Sequence, residues 1–252
     1  MQKTYTAALI IVGNEILSGR TQDKNTAWLA EQLNQRGIAM REVRVIPDIQ
    51  EVIVKTVNEM REQVNYVFTT GGIGPTHDDI TAESVAKAFG VELELNNSAY
   101  NMLLDYYQDE AEITEARKKM AMIPVGASLI GNPVSGAPGF ILGNVHVMAG
   151  VPKIMQGMFE GLVCNLAEGA VTHSQSVSCN LQESQLAPGL SDIQDKHAHV
   201  DIGSYPNYRT NGGGVSVVVR ATDKEAVKAA GAEVVKLIQS LGQEPTAVTY
   251  LD

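Results

Sequence analysis

The chain has 252 residues, which at about 150 residues per domain allows one large or two modest domains. Hydrophobic residues make up 44% and charged residues 19%, an ordinary globular composition that argues against disorder, collagen-like repeats and coiled coils. With 19 Lys and Arg against 29 Asp and Glu the net charge is −10, a field that repels a phosphodiester backbone and argues against general nucleic-acid binding.

The first apolar run, Ala7 to Val12, stops at Gly13-Asn14-Glu15. That is too short for a signal-peptide core or for the roughly 20 residues of a membrane span, so a cytoplasmic protein with no membrane partner is expected. The two cysteines, Cys164 and Cys179, lack metal-ligand spacing and disulfide density and are expected to be buried thiols without chemistry.

In chain order, residues 5–12 (YTAALIIV) read as a strand covered on both faces by helices. Residues 25–36 place Leu29 and Leu33 at helical spacing before Gly37, a C-cap candidate, and strand character resumes at 42–46. A helix at 49–60, a strand at 66–70 (YVFTT) and a helix at 81–89 closed by Gly90 continue the alternation. The fold class is therefore α/β, a mostly parallel sheet flanked by helices. Residues 98–121 read as helical with a break near Glu110, and Arg117, Lys118 and Lys119 as a solvated helix end. A hairpin is predicted over 140–148, turning at Gly143-Asn144, and a helix over 151–162 with Met155, Met158 and Phe159 on its core stripe.

The small, polar stretch 169–175 reads as a linker between a domain at 1–168 and a small βαββα domain at 174–252. The latter comprises a strand at 176–180, a helix from 183 to about 190, strands at 200–205 and 214–221, and a helix at 224–241. Asn211-Gly212-Gly213-Gly214 precedes a strand and reads as a hairpin turn.

Chemistry concentrates in Thr70-Gly71-Gly72-Ile73-Gly74-Pro75-Thr76-His77-Asp78-Asp79, which joins a strand to a helix. Open parallel sheets bind ligands at the carboxyl ends of their strands. Glycines let successive backbone N–H groups turn toward an anion, so Gly71, Gly72 and Gly74 are expected to hold a phosphate. Carboxylates beside a phosphate repel it unless a cation lies between them, so Asp78 and Asp79 are expected to hold a divalent ion such as magnesium, manganese or cobalt. Glu15 after the first strand and Asp48 after the second reach the same edge and are candidates, with Asp79, for the catalytic acids. His77 reads as a solvated loop residue and Trp28 as a packing residue.

Four motifs recur in order: Gly13-Asn14-Glu15-Ile16-Leu17-Ser18-Gly19 with Asp23 and Asn25, the glycine-aspartate segment, Asn132-Pro133 through Ala137-Pro138-Gly139-Phe140, and Gly150-Val151-Pro152. In these the chain resembles the amino-terminal domain of the CinA (competence/damage-inducible protein) family, within the molybdopterin-binding superfamily of MogA, MoaB and the MoeA core. Glu183-Ser184 and Ile202-Gly203-Ser204-Tyr205-Pro206 resemble that family's small middle domain. The family's amidase domain is not expected in this chain. Met148-Ala149 stands where the family usually has leucine-proline, and Ile154 where it has an acid, which weakens any role for Gly150-Val151-Pro152.

The resemblance implies metal-dependent hydrolysis of a nucleotide diphosphate such as ADP-ribose, or a FAD-like pyrophosphate. It places Asp48 and Asp79 where pterin-handling relatives carry aspartates. It implies ligand contacts from Gly13, Asn14, Gly71, Gly72, Gly74, Pro75, Thr76, Asn132, Ala137, Pro138 and Gly139, and assembly as a homo-oligomer. The alternatives are a non-hydrolytic protein that binds molybdopterin or a related nucleotide, and a regulatory module with a vestigial site.

Overall fold

A computed structural model describes residues 3–207 and 214–251. The chain divides into two compact units, Met1–Gly169 and Ala170–Asp252.

The first unit begins β1 (Tyr5–Val12), α1 (Asn14–Leu17), α2 (Asn25–Gln35), β2 (Ile38–Ile46), α3 (Gln50–Gln63), β3 (Tyr66–Thr70) and α4 (Thr81–Phe89). It continues β4 (Leu93–Leu95), α5 (Asn97–Tyr107), α6 (Glu115–Lys118), β5 (Met122–Pro124), β6 (Ser128–Ile130), β7 (Gly139–Leu142), β8 (Val145–Met148) and α7 (Pro152–Leu162). Six strands form one sheet in the order β2-β1-β3-β8-β7-β6. The first four run parallel and β7 pairs antiparallel to β8.

β1 sits inside this sheet because both its faces are apolar. Ala8, Ile10 and Val12 pack with Ile53, Val57 and Met60 of α3. Ala7, Leu9 and Ile11 pack with Leu29 and Leu33 of α2 and with Met155, Met158 and Phe159 of α7. Burying each such side chain contributes on the order of 1.5–3 kcal/mol. Trp28 stacks edge-on against Phe159 at 5.5 Å between ring centroids, the packing role expected of it.

Several elements depart from the sequence expectation. β2 begins at Ile38 rather than 42, because Ile38, Ala39 and Met40 pair with Tyr5, Thr6 and Ala7 before the register shifts between Ala7 and Ala8. The stretch 98–121 is not one broken helix. α5 ends at Gln108 in the left-handed region, and α6 is a separate turn capped by Thr114. Leu93–Leu95 and Met122–Pro124 form an unexpected two-stranded ladder. Cys164 is exposed, whereas Cys179 is buried as expected.

The second unit runs β9 (His173–Cys179), α8 (Glu183–Lys196), β10 (Asp201–Asn207), β11 (Gly214–Ala221), α9 (Lys224–Ser240) and β12 (Ala247–Leu251). Its sheet order is β10-β11-β9-β12, all neighbours antiparallel, a split βαββαβ arrangement that has one strand more than expected. Leu186, Leu190 and Ile193 of α8 and Val227, Ala230, Val234 and Ile238 of α9 share a core with Val177, Val215, Val217 and Val219 of the sheet. The expected linker ends earlier than 175, since Ser174 and Gln175 already pair with Arg220 and Val219. α8 continues through Pro188 to Lys196, because the gain from burying Ile193 outweighs the backbone hydrogen bond that proline removes. The expected turn at Asn211-Gly212-Gly213 lies outside the described residues.

Candidate functional site

Four parallel strands deliver their carboxyl ends to one edge of the first unit's sheet: β1 at Val12, β2 at Ile46, β3 at Thr70 and β8 at Met148. The chain moves from β1 to β2 on one side and then crosses to β3 on the other, so the topology reverses between β1 and β3, where open sheets form their crevice. A cleft of about 540 Å³ opens there. Glu15, Asp48, the loop Gly71 to Pro75, Asp78, Asp79, Asn132 and Ala137 all line it.

The loop after β3 is built on left-handed backbone. Gly71 has φ +100° and Gly72 φ +68°, and a Cβ on Gly71 would overlap the Val12 carbonyl oxygen. Thr81, at the start of α4, fastens the loop by donating its hydroxyl to Gly71 O at 2.9 Å and its N–H to Gly72 O at 2.9 Å. The Gly71 N–H donates to Met148 O at 3.2 Å, so Gly71 is a hinge between strands and not the phosphate donor expected of it. Among the described residues, the N–H groups of Gly72, Ile73 and Gly74 donate to no protein acceptor.

The acids stand around this loop in different states. Asp48 Oδ2 accepts the Asn14 N–H at 2.8 Å. Asp79 Oδ2 accepts the Thr76 N–H at 2.8 Å and also the Thr76 hydroxyl. Asp78 is exposed, and its carboxyl is held below the usual carboxylate range, first by the Thr76 side chain, then by its own backbone N–H, with His77 and Lys119 adding positive charge. Glu15 lies over Gly13, where a Cβ would overlap its carboxylate. His77 is 98% exposed, with Nδ1 3.9 Å from Asp78 Oδ1, as a solvated loop histidine should be.

Among the described residues, no group of three or more His, Cys, Asp or Glu converges as a preformed metal site. The donors are instead separate carboxylates around unspent amides. Such a set fits a hard ion that keeps several waters and takes its other ligands from a phosphate, as magnesium does with one or two carboxylates.

Some sequence candidates act on the frame and do not face the cleft. The Gly13 N–H donates to Ile46 O at 3.1 Å, and Asn14 holds Asp48. Thr76 holds Asp79. Gly139 lets β7 approach Val147 of β8, where a Cβ would overlap the carbonyl. Pro138 belongs to a narrower recess beneath the loop. Asn132 lines the cleft while ordering its own loop, accepting the N–H groups of Val134 and Ser135 at 3.0 Å and donating to Ala137 O at 2.8 Å.

Other site residues are assigned no firm role in the site by sequence reasoning. Gly150, Val151 and Pro152 line the cleft despite the substitutions around them, with Gly150 packed on Gly71 so that a Cβ would come within 3.2 Å of the Gly71 Cα. Buried Asn25 donates Nδ2 to Gly150 O at 2.8 Å, pinning that turn to α2. Lys119, expected as part of a solvated helix end, donates to Thr76 O. The Gly-Val-Pro motif carried a signal for the first group. Lys119 carried none, because its partner is 43 residues away.

A doubly wound α/β unit with a glycine loop at its switch point defines a ligand-binding class. Residues 8–168 match the family model described as "Probable molybdopterin binding domain", and residues 171–244 the one described as "FAD synthase, middle domain". The crystal structure of the protein CinA with unknown function from Thermoplasma acidophilum is 36% identical, with a TM-score of 0.61, covering 64% of this chain and 98% of that one. A protein of Archaeoglobus fulgidus is 36% identical over 222 residues, covering 88% of this chain and 93% of the relative. One of Aeropyrum pernix is 36% identical over 242 residues, covering 91% and 90%. The chain belongs to the CinA-like family of molybdopterin-binding-domain proteins.

Proposed function

We propose that the cleft binds a nucleotide diphosphate, of ADP-ribose or FAD type, and hydrolyses its pyrophosphate bond with the help of a divalent ion. The observation that carries this reading is the unspent N–H groups of Gly72, Ile73 and Gly74 on a loop whose cleft is ringed by Glu15, Asp48, Asp78 and Asp79. Amides of this kind bind phosphoryl oxygens, and four carboxylates around them repel the same oxygens unless charge is compensated.

The loop amides hold one phosphoryl group in place. Asp48, fixed by the Asn14 N–H, accepts the proton of a water that attacks phosphorus, and the bridging P–O bond breaks to release AMP and the second phosphate ester. Asp78 and Asp79 are the residues that would hold a divalent ion, which lowers the pKa of water and offsets phosphoryl charge when bound. The match of residues 171–244 to a middle domain of FAD synthase supports a nucleotide with a ring system as the ligand.

A second reading, a non-hydrolytic protein for molybdopterin or a related nucleotide, is favoured by one observation. Asp79 already satisfies Thr76, and no third donor converges with it among the described residues. Incubating the protein with ADP-ribose and with FAD, each with magnesium, manganese or cobalt, separates the two. Release of AMP upholds the hydrolase, and tight binding without AMP under every metal upholds the second reading.

A further inference from the structure

We infer that the outer edge of β2 is the surface by which two copies of this chain pair, antiparallel about a two-fold axis at Val43. This pairing does not depend on what the cleft binds. β2 ends the six-stranded sheet and pairs with β1, so among the described residues its outer side meets no other strand. At nine residues it is the longest strand described, whereas exposed edges are usually kept short. Its register with β1 is unbroken from Glu42 to Ile46. The Ile46 carbonyl turns inward to accept the Gly13 N–H at 3.1 Å. Backbone direction alternates along a strand, so the N–H and C=O groups of Arg44 and Glu42 also turn inward, and those of Val43 and Val45 point outward. Both valine side chains are 37% exposed.

The order of the charges selects a second copy as the occupant. Charges on an edge strand ordinarily keep other chains away. Here Glu42-Val43-Arg44 is complementary to its own reverse. Residues directly opposite in an antiparallel pair share a face, so a two-fold ladder must be centred on a residue. Centred on Glu42 it sets two carboxylates together, and centred on Arg44 two guanidiniums. Centred on Val43 it sets each copy's Glu42 against the other's Arg44, with valine on valine between them. The outward amide and carbonyl of Val43 then exchange both hydrogen bonds with their counterparts. Arg44 donates Nε to Glu42 Oε1 at 2.6 Å and Nη1 to Glu59 Oε2 at 2.5 Å, which leaves donors of its five for a second carboxylate. Each β2 leads at its carboxyl end to its own Asp48, so the two clefts open at opposite ends of the joined strands.

Sedimentation equilibrium of the full chain, from about 1 to about 100 μM, is expected to show a mass rising with concentration toward twice 27.1 kDa. Glu42→Arg and Arg44→Glu should each raise the dimer dissociation constant about tenfold or more, because like charges then face each other. An equimolar mixture of the two variants should restore pairing as a heterodimer, since each chain presents one sign to the other. Register is read by cross-linking in a Cys164→Ser background, which removes the exposed native thiol. Val43→Cys places Cα atoms about 5.5 Å apart across the axis, within disulfide reach, and should give a covalent dimer on oxidation with diamide. Val45→Cys lies more than about 13 Å from its counterpart in this register and should not. Thermal melts accompany every variant. If Arg44→Glu, which also loses its Glu59 contact, does not fold, Glu42→Arg and the two cysteine variants decide. A monomer at every concentration, a dimer that Glu42→Arg leaves unchanged, or cross-linking at Val45 as fast as at Val43 overturns the interface.

Discussion

The backbone N–H of Asn14 donates to Asp48 Oδ2 at 2.8 Å, joining the loop after β1 to the loop after β2. One carboxylate thereby closes a structural contact in a residue that also lines the cleft. Replacing Asp48 by Asn preserves shape and the amide contact but removes the charge. The expected result is a fall in turnover of ADP-ribose by about a hundredfold or more, with stability changed by less than about 1 kcal/mol. Steady-state kinetics and thermal melts on the same preparation check both halves.

Gly71 and Gly74 should respond to substitution in different ways. Gly71→Ala forces a side chain onto a left-handed residue and against the Val12 carbonyl, so a loss of about 2–4 kcal/mol of stability is expected. Gly74 is not left-handed, and its Cβ would meet Asp79 Oδ2 at 2.7 Å. Gly74→Ala should therefore fold with a near-native melting temperature and lose ligand affinity by displacing Asp79. Urea unfolding measures the first effect and calorimetry the second.

Lys119 sits at the boundary between the glycine loop and the recess, donating to Thr76 O and helping to hold the Asp78 carboxyl below its usual range. Lys119→Met should raise the Asp78 pKa and weaken phosphate-ligand binding by about tenfold at low salt, with a smaller difference at high salt. NMR titration of the Asp78 carboxyl and salt-dependent affinities are the readouts. An unshifted Asp78 contradicts the assignment.

Much of this was legible in the sequence, for physical reasons that differ by element. β1 is a continuous apolar run because helices cover both of its faces, and α4 is bounded by Gly90, which is left-handed at φ 66°. The glycine-aspartate loop shows itself because positive φ demands glycine. What stayed hidden depends on distance along the chain. Leu93–Leu95 is too short to show a period, and its partner Met122–Pro124 lies beyond α5 and α6. Gly71's use by Met148, and Lys119's by Thr76, are likewise products of tertiary folding. Gly139 is expected as a ligand contact only through the family resemblance, and here its lack of a side chain serves the approach of strand on strand.

His146 on β8 offers a test of the core apart from the site. Its ring lies 5.0 Å from Phe68 and 5.8 Å from Tyr66, with Nδ1 3.2 Å from Asn144 O. Burial pushes its pKa below the ordinary 6.5, only partly opposed by the carbonyl of Asn144. The unfolded chain then binds more protons than the folded one below pH ~6.5, so stability rises with pH there and levels off above it. Melting temperatures between pH 5 and 8 should fall on the acid side of about 6.5, and His146→Phe should reduce that slope.

The unspent amides of Gly72, Ile73 and Gly74 are expected to grip an anion which the surrounding carboxylates admit only with a cation. Calorimetric titration of ADP-ribose into the protein, once with magnesium and once with EDTA, decides this. Binding at least about tenfold tighter with magnesium is the expected result, and equal affinity in the two conditions would contradict it.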